Sequence, residues 1–181
     1  AVFFGPDTSR FARFIGHALA SRKAQRQSLR VLDVGCGSGV GGIAAARALA
    51  DAGTSATVVM NDINPLALQY TATNAEVAGI AVALAQGDAL SAVDGDFDLI
   101  VSNPPYLDDA AQRAYRHGGA RLGRALSVRI AAESLRRLAP GGQLLLYTGV
   151  AMVDGEDPFL AEMQPLLAAP GLAWSYAEID P

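Results

Sequence analysis

Cysteine, histidine and long apolar runs are all scarce in this sequence. The single cysteine, Cys36, excludes a disulfide within the chain and predicts a reducing compartment, for which the cytoplasm is the default. The two histidines, His17 and His117, stand apart from any cluster of cysteines or acids, so no metal site is expected. No apolar run approaches the roughly 18 residues of a membrane span. These shortages argue against disulfide-rich, metal-binding and membrane-spanning proteins.

Charge is also sparse, and its balance is slightly negative. Charged residues make up 18% of the 181 residues, with 14 Lys and Arg against 18 Asp and Glu, which gives a net charge of −4. Lys23 is the only lysine. The sequence therefore lacks an overall basic field, and any contact with nucleic acid must be local. The 51% of hydrophobic residues is enough for one domain with a full core.

The stretch that organises the chain is residues 31–39, Val-Leu-Asp-Val-Gly-Cys-Gly-Ser-Gly. An apolar, β-branched run leads through Asp33 into a glycine-rich turn, the glycine loop (residues 35–39), and an alanine-rich segment with helical spacing follows. Because glycine has no Cβ, a ligand can lie directly against the backbone N–H groups of such a loop. The pattern predicts a site for a nucleoside cofactor.

Two classes of cofactor use such a loop, and the register of the glycines partly separates them. Residues 37–42 satisfy the G-x-G-x-x-G pattern of dinucleotide-binding proteins. In that pattern, however, the first glycine follows the strand at once, and here that glycine is Gly35. Counted from Gly35, Val40 stands at the last glycine position. The register therefore disfavours a dinucleotide without excluding it.

Predicted strands and helices alternate along the chain, which indicates an α/β fold with a doubly wound, Rossmann-like and mostly parallel sheet and helices on both faces. We assign residues 1–29 to a lead-in and helix, capped by Thr8 or Ser9, and residues 30–181 to the cofactor-binding catalytic domain. After the strand that precedes the glycine loop, the predicted elements are helix 40–52, strand 56–60, helix 65–78, strand 80–84, strand 97–102, helix 123–138, strand 143–148, helix 156–168 and strand 172–179.

Acidic residues follow the second and third predicted strands. Asp62 comes about 20 residues after the glycine loop, where a carboxylate can accept hydrogen bonds from both hydroxyls of a ribose. Asn64 and Pro65 suit the cap and first turn of the next helix, so capping by Asp62 is the lesser alternative. Asp88 follows the third strand and could accept from an exocyclic amine of a base, although a surface turn is the alternative.

The fourth predicted strand runs into Asn-Pro-Pro-Tyr (residues 103–106), the most specific pattern in the chain. Two prolines stiffen the segment and remove two backbone donors. The side-chain oxygen of Asn103 and the carbonyl of Pro104 can then accept from one NH2 group, while the Tyr106 ring covers its flat face. This arrangement suits a planar nitrogen whose lone pair is conjugated.

In this order and spacing, the glycine loop, the two acids and the Asn-Pro-Pro-Tyr segment resemble the class I S-adenosylmethionine-dependent methyltransferases. Within them the chain is similar to the small-domain group, which includes ribosomal RNA and tRNA base N-methyltransferases and the glutamine N5-methyltransferases of peptide release factors. The resemblance covers roughly residues 4–179. Residues 6–8, Pro-Asp-Thr, also look like the segment that precedes the first helix in the glutamine group, where it borders the cofactor.

The resemblance implies S-adenosylmethionine as the cofactor and a role for each matching residue. The glycines would line the methionine and ribose, Asp62 would hold the ribose, and Asp88 would meet the adenine amine. The predicted catalytic residues are Asn103, Pro104 and Tyr106. The predicted cofactor-binding residues are Asp33, Gly35, Cys36, Gly37, Gly39, Asp62, Ile63, Asp88, Ala89 and Asn103. Cys36 is expected to be a small buried residue.

The function predicted from the sequence is N-methylation of a planar nitrogen, with a nucleobase, in RNA rather than DNA, as the first choice of substrate. A glutamine side chain in a protein is the alternative of the same chemistry. A dinucleotide-dependent oxidoreductase and a cofactor-binding module without activity are the alternatives of other classes. A basic stretch beyond residue 106 could steer phosphates or an acidic protein face, or could be a solvated helix face. Its members are Arg113, Arg116, His117, Arg121, Arg124, Arg129, Arg136 and Arg137.

Overall fold

The structure, a computed structural model, describes residues 2, 4–20, 28–107 and 117–179. Its strands are β1 (Ser28–Val34), β2 (Ser55–Asp62), β3 (Val82–Gln86), β4 (Phe97–Ser102) and β5 (Leu138–Leu146). Its helices are α1 (Pro6–Ala20), α2 (Val40–Asp51), α3 (Pro65–Ala78), α4 (Ala125–Leu135) and α5 (Pro158–Leu167). In this part of the chain, no helix combines the length and the apolar character needed to cross a membrane.

All strand pairs in the sheet are parallel, and the strand order is β3-β2-β1-β4-β5. The doubly wound α/β fold predicted from the sequence is therefore confirmed. β1 lies between β2 and β4, which is the point where the strand order reverses and where such sheets bind ligands. Because the strands are parallel, the glycine loop and the Asn-Pro-Pro-Tyr segment both emerge at the carboxyl edge of the sheet.

Alternate residues of the central strands face the two layers of helices, as period-two geometry requires. On one face, Val31 of β1 packs in a cluster with residues of α1 and α2. On the other face, Leu32 packs with Ile100 of β4 and Ile130 of α4. Every residue of β4 is buried, as predicted for an inner parallel strand. The core therefore lies on both faces of the sheet and fixes the position of its carboxyl edge.

The N-terminal helix packs on α2 through the buried stripe of Phe11, Ile15 and Leu19. The predicted cap at Thr8 or Ser9 is wrong, because α1 already begins at Pro6. Gly5 precedes the helix instead: its N–H donates to the Thr8 hydroxyl oxygen at 3.3 Å, and the Thr8 N–H donates to its carbonyl at 3.0 Å. Proline at the first helical position has no N–H that would need a partner. Residues 6–8 are thus the first turn of the helix and do not precede it.

Three strand predictions need correction. β3 begins and ends two residues later than predicted. β5 begins five residues earlier than predicted, because the Pro-Gly-Gly sequence at residues 140–142 forms an irregularity within the strand and is not a turn before it. The predicted strand over residues 172–179 is absent from the described structure. The hydroxyl of Tyr176 in this segment donates to Asp157 at the start of α5, so the segment follows that helix and does not pair with β5.

Candidate active site

The glycine loop connects β1 to α2 at the carboxyl edge of the sheet. Gly35 and Gly37 have φ angles of +69° and +56°, in the left-handed region that other residues rarely adopt. A Cβ added at either position would meet no atom within 4 Å, so both glycines border open space. The loop is tied to β2 by the Cys36 N–H, which donates to the carbonyl of Asn61 at 2.9 Å. The loop therefore presents backbone to a space that a ligand could enter.

The other two loop residues predicted to bind cofactor, Cys36 and Gly39, face α3. The Cys36 thiol is buried with its sulfur 3.4 Å from the Thr71 hydroxyl, and burial raises the pKa of the thiol. A Cβ added at Gly39 would lie 3.1 Å from the same Thr71 side chain. The expectation that Cys36 is a small buried residue is confirmed. Both residues serve the packing of the loop against α3.

Asp33 lies beneath the glycine loop and is almost completely buried. Its Oδ2 atom accepts a hydrogen bond of 2.7 Å from the N–H of Gly42 in the first turn of α2. Burial raises the pKa of Asp33 to about 7; the Gly42 hydrogen bond opposes this rise, and the nearby Asp62 carboxylate adds to it. Gly41 permits this approach of α2, since a Cβ there would lie 2.8 Å from Asp33 Oδ2. Asp33 thus joins the end of β1 to the start of α2.

Asp62 ends β2 and connects it to the glycine loop. Its Oδ2 accepts from the Gly37 N–H at 2.9 Å, and its Oδ1 accepts from the Asn64 N–H at 2.8 Å. The cap of α3 is Asn64, whose side chain accepts from the Leu66 N–H at 3.0 Å, as the sequence predicted. The neighbouring Ile63 is 60% exposed. Asp62 is therefore beside the loop, with an exposed apolar side chain next to it.

Asp88 follows β3 and has a partner that the sequence did not reveal. The Arg129 guanidinium of α4 makes two hydrogen bonds to the Asp88 carboxylate, at 2.8 and 2.6 Å, and these lower the pKa of Asp88. Ala89 is buried with a positive φ of 47°. The next N–H, of Leu90, donates to Glu133 of α4 at 3.3 Å. The turn after β3 is thus held by α4.

The Asn-Pro-Pro-Tyr segment follows β4 directly. Pro104 is buried, Asn103 is half-buried, and no described residue forms a hydrogen bond with the Asn103 side chain. The hydroxyl of Tyr106 donates to Asp7 in the first turn of α1. Burial and the Asp7 carboxylate raise the pKa of Tyr106. The edge of the Tyr106 ring lies so close to Gly149 that a Cβ there would overlap ring carbons. The segment therefore has one polar side chain available to a substrate and one aromatic ring held in place.

Residues 117–124 pack against the backbone of this segment, a contact that sequence reasoning missed. Leu107 and His117 form an isolated parallel bridge, and the Gly118 N–H donates to the Leu107 carbonyl at 2.9 Å. A Cβ at Gly118 would lie 2.7 Å from the Tyr106 Cα, and one at Gly123 would overlap the Tyr106 carbonyl. The glycines of this stretch, which include Gly118 and Gly123, were the one feature of the sequence that could have indicated this close backbone contact. Within the described ranges, His117 belongs to no group of three potential metal ligands, and no such group occurs elsewhere there.

Most of the described arginines from the predicted basic stretch have partners inside the protein. Arg121 and Arg124 both form ion pairs with Glu162 of α5, at 2.6 and 2.7 Å. Arg129 is paired with an acid after β3, as given above, and Arg137 donates to backbone carbonyls that include that of Gly95. Two members lie outside the described residues, Arg113 and Arg116. Four of the five described arginines of the stretch are thus paired within the protein, and the fifth, Arg136, is exposed.

Comparison with known proteins identifies relatives of this chain. The sequence model of the family described as "methyltransferase small domain" matches residues 14–152. The chain is 39% identical over 127 residues to a release factor glutamine methyltransferase of Deinococcus radiodurans, a match that covers 65% of this chain and 44% of that protein. It is 37% identical over 118 residues to a ribosomal RNA small subunit methyltransferase C of Chromohalobacter salexigens, covering 65% and 30%. The chain spans less than half the length of either relative.

A solved structure supports the fold alone. A 16S rRNA N2 methyltransferase of Thermus thermophilus, determined in complex with AdoMet and guanosine, superposes with a TM-score of 0.62 at 24% sequence identity. The match covers 91% of this chain and 38% of that one. The sheet whose carboxyl edge carries the candidate site therefore has the fold of a solved methyltransferase structure.

Proposed function

Because this chain belongs to the methyltransferase small-domain family, we propose that it transfers a methyl group to a planar NH2 group, either the exocyclic amine of a nucleobase or the amide of a glutamine side chain. One observation carries the proposal. β1 and β4 are neighbours with Val34 opposite Ser102, so the glycine loop and the Asn-Pro-Pro-Tyr segment follow adjacent positions. The Ser102 hydroxyl also donates to the Val34 carbonyl at 2.8 Å. A cofactor on the loop and a nitrogen on the segment would lie side by side, as direct transfer between them requires.

The residues present fit S-adenosylmethionine as the methyl donor. The open space beside Gly35 and Gly37 leaves room for the donor against the loop backbone. Asp62 is oriented by the Gly37 N–H, and its carboxylate has lone pairs left to accept from ribose hydroxyls. The exposed Ile63 offers an apolar surface to a purine base, and Asp88 borders the same edge. Membership of a methyltransferase family also weighs against the dinucleotide-dependent oxidoreductase that residues 37–42 left open.

Catalysis in this proposal depends on placement of the acceptor nitrogen. When bound, S-adenosylmethionine supplies an electrophilic methyl group, whose bond to the sulfonium sulfur breaks as the bond to nitrogen forms, leaving a neutral thioether. The oxygens of Asn103 and Pro104 accept from the two N–H groups of the acceptor, which favours a pyramidal nitrogen with a free lone pair. Tyr106 covers the flat face of the acceptor group. The surplus proton then leaves the methylated nitrogen for water. Positioning of this kind contributes up to about 7–11 kcal/mol in favourable cases.

The choice between the two substrate classes depends on charge around the site. Nucleic-acid binding draws much of its affinity from Lys and Arg side chains that neutralise phosphates. Here Arg121 and Arg124 are both paired with Glu162, which offsets one of their two charges. Arg129 is paired with Asp88. The sequence made a nucleobase the first candidate, but this pairing is the observation that favours a glutamine amide in a protein. We also propose a cytoplasmic location, since the names of the two relatives refer to a release factor and to ribosomal RNA, which are both parts of the translation machinery.

Methyl transfer to undefined cell material tests the function and the substrate class together. Purified protein is incubated with donor carrying a labelled methyl group and a small-molecule-depleted extract of cells that lack this protein. The product is divided and treated with ribonuclease, deoxyribonuclease or protease. Label released by protease supports a glutamine substrate, and label released by a nuclease supports a nucleobase. Donor binding without any transfer to the extract would contradict the proposed activity.

The role of Asn103 is tested with the substrate found in that way. Asn103→Ala should lower kcat by about 100-fold or more, because it removes an acceptor that acts on the reacting nitrogen. The dissociation constant of the donor should change little. Ser9→Ala, on an exposed position of α1, is the control for substitution near the site. Unchanged turnover of Asn103→Ala would contradict the assigned role.

A further inference from the structure

The first turn of α1 reaches the Asn-Pro-Pro-Tyr segment through one carboxylate. Asp7 accepts a hydrogen bond from the Tyr106 hydroxyl through Oδ2. Its Oδ1 accepts from the Arg10 guanidinium at 2.9 Å, one turn along the same helix. Asp7 and Tyr106 are 99 residues apart in sequence. Because both carboxylate oxygens are engaged, the orientation of the carboxylate is fixed, and so is the position of the hydroxyl that donates to it.

The Tyr106 ring is confined from two further directions. The backbone at Gly149, just after β5, lies against ring carbons Cδ2 and Cε2 and leaves no room for a Cβ. Burial and the Asp7 carboxylate raise the pKa of Tyr147, and the Arg10 guanidinium opposes this rise. The preceding prolines fix φ and so restrict the backbone that carries the ring. Asp7 therefore supplies the constraint on the far end of a ring whose near end is fixed by its own backbone.

This contact is not needed to dock α1 onto the rest of the protein. Phe11, Ile15 and Leu19 are each 4% exposed or less and belong to the same core cluster as residues of β1 and α2. The Phe11 ring also packs on Tyr147, with ring centroids 6.1 Å apart. Burial of these side chains stabilises the helix far more than one half-exposed hydrogen bond could. The geometry at Asp7 therefore calls for an explanation other than helix docking.

We propose that Asp7 is a positioning residue, which fixes the Tyr106 ring against the acceptor group, so that the first turn of α1 is part of the active site. The inference rests on the proposed function. Loss of the Asp7 carboxylate removes the constraint on the far end of the ring, which can then tilt away from the acceptor. A displacement of about 1 Å at a reacting group can lower the rate by roughly 100-fold. Asp7 acts only through Tyr106, so the two residues form one unit.

A double-mutant cycle tests whether the two residues act as one unit. Asp7→Ala should lower kcat/KM for the methyl acceptor by about 10- to 100-fold, while the dissociation constant of the donor stays within about twofold. Asp7→Asn keeps an acceptor oxygen and should retain most of the kcat/KM that Asp7→Ala loses. In a Tyr106→Phe background, Asp7→Ala should cause little further loss, because the contact is already absent. Ser9→Ala in the same helical turn should match the wild type.

A spectroscopic readout separates this inference from the proposed function. The protein is labelled with 3-fluorotyrosine, and the fluorine resonance of Tyr106 is assigned by its disappearance in Tyr106→Phe. Asp7→Ala should shift or sharpen that resonance, and Ser9→Ala should leave it in place. An unmoved resonance, or additive effects of Asp7→Ala and Tyr106→Phe on kcat/KM, would overturn the inference about Asp7. Wild-type protein that binds donor but methylates neither nucleic acid nor protein would instead overturn the proposed function.

Discussion

Replacement of Asp33 by asparagine should make the protein more stable at neutral and alkaline pH. The Asp33 carboxylate is 1% exposed and accepts from the Gly42 N–H at 2.7 Å. Asp33→Asn keeps an oxygen that can accept this hydrogen bond and keeps the shape of the side chain. It removes the ability to ionise in a buried environment close to Asp62 and replaces one oxygen by an NH2 group.

The size and sign of the effect follow from the pKa. Burial raises the pKa of Asp33 from 3.8 to about 7 in the folded protein. Below about pH 4 the group holds its proton in both the folded and the unfolded state, and its contribution to stability is then complete. As the pH rises toward 7, the unfolded chain releases the proton while the folded protein retains it, so the wild type loses stability. A difference of about three pKa units corresponds to at most about 4 kcal/mol.

Urea unfolding of the wild type and Asp33→Asn, measured from about pH 4 to about pH 8, checks this prediction. The two proteins should have similar free energies of unfolding at the acid end, and the variant should be more stable at the alkaline end. Asp51→Asn, at the exposed end of α2, is the control for loss of a carboxylate in general. A difference between Asp33→Asn and wild type that stays constant with pH would refute the reasoning.

Three further predictions concern the surroundings of the site. Gly123→Ala should lower the free energy of unfolding by more than about 1 kcal/mol in urea titrations, because its φ is +82° and the added Cβ would overlap the Tyr106 carbonyl. Arg129→Gln should tighten donor binding by less than about fivefold in calorimetry, since it frees the exposed Asp88 carboxylate; weaker binding would show that Arg129 supports the donor site. Glu162→Gln should strengthen non-specific RNA binding and its salt dependence in filter assays, because it releases two arginines from their shared carboxylate. An unchanged salt slope would contradict the expectation that this pairing keeps the two arginines from phosphates.

The parts of the site that depend on local chain chemistry could be predicted from the sequence. Gly35 and Gly37 were identifiable because the turn needs left-handed backbone immediately after a buried strand. Asp62 and Asn64 were placed correctly because consecutive residues form the end of a strand, the cap of a helix and the proline that begins it. The alternation of strands with helices, together with continuous apolar runs, then predicted a parallel sheet, whose carboxyl edge brings these residues together.

The contacts that complete the site join residues that are distant in sequence, and no local sequence pattern predicts such contacts. The Tyr106 hydroxyl bond to Asp7 spans 99 residues, and the Arg129 bond to Asp88 spans 41. Each depends on where a helix crosses the sheet edge, which periodicity does not specify. For the same reason the sequence left open whether the arginines after residue 106 form a basic rim or a solvated helix face, and it did not reveal that two of them pair with Glu162 on another helix.

The wrong strand prediction has a related cause. Residues 172–177 alternate large apolar side chains with small ones, which is compatible with a strand. A strand forms, however, only where a neighbouring strand provides hydrogen-bond partners. In the described structure, Tyr176 contacts Asp157 at the start of α5, and Trp174 is 47% exposed. The alternation therefore indicated that the segment could adopt an extended conformation, but it did not indicate that a neighbouring strand is present. The early start of α1 is different, because proline at the first helical position outweighed the side-chain caps that follow it.

The strand order has a consequence for how the protein could be divided. β3, β2 and β1 come from the first half of the chain and β4 and β5 from the second, and in the described sheet the two halves share one strand ladder, β1–β4. The Asp7–Tyr106 and Asp88–Arg129 contacts join the same two halves. The glycine loop lies on one side of that ladder and the Asn-Pro-Pro-Tyr segment on the other. Residues 94–96, between β3 and β4, are exposed. A chain opened there would yield two fragments that each carry half of the site, so methyl transfer would report directly on their reassembly.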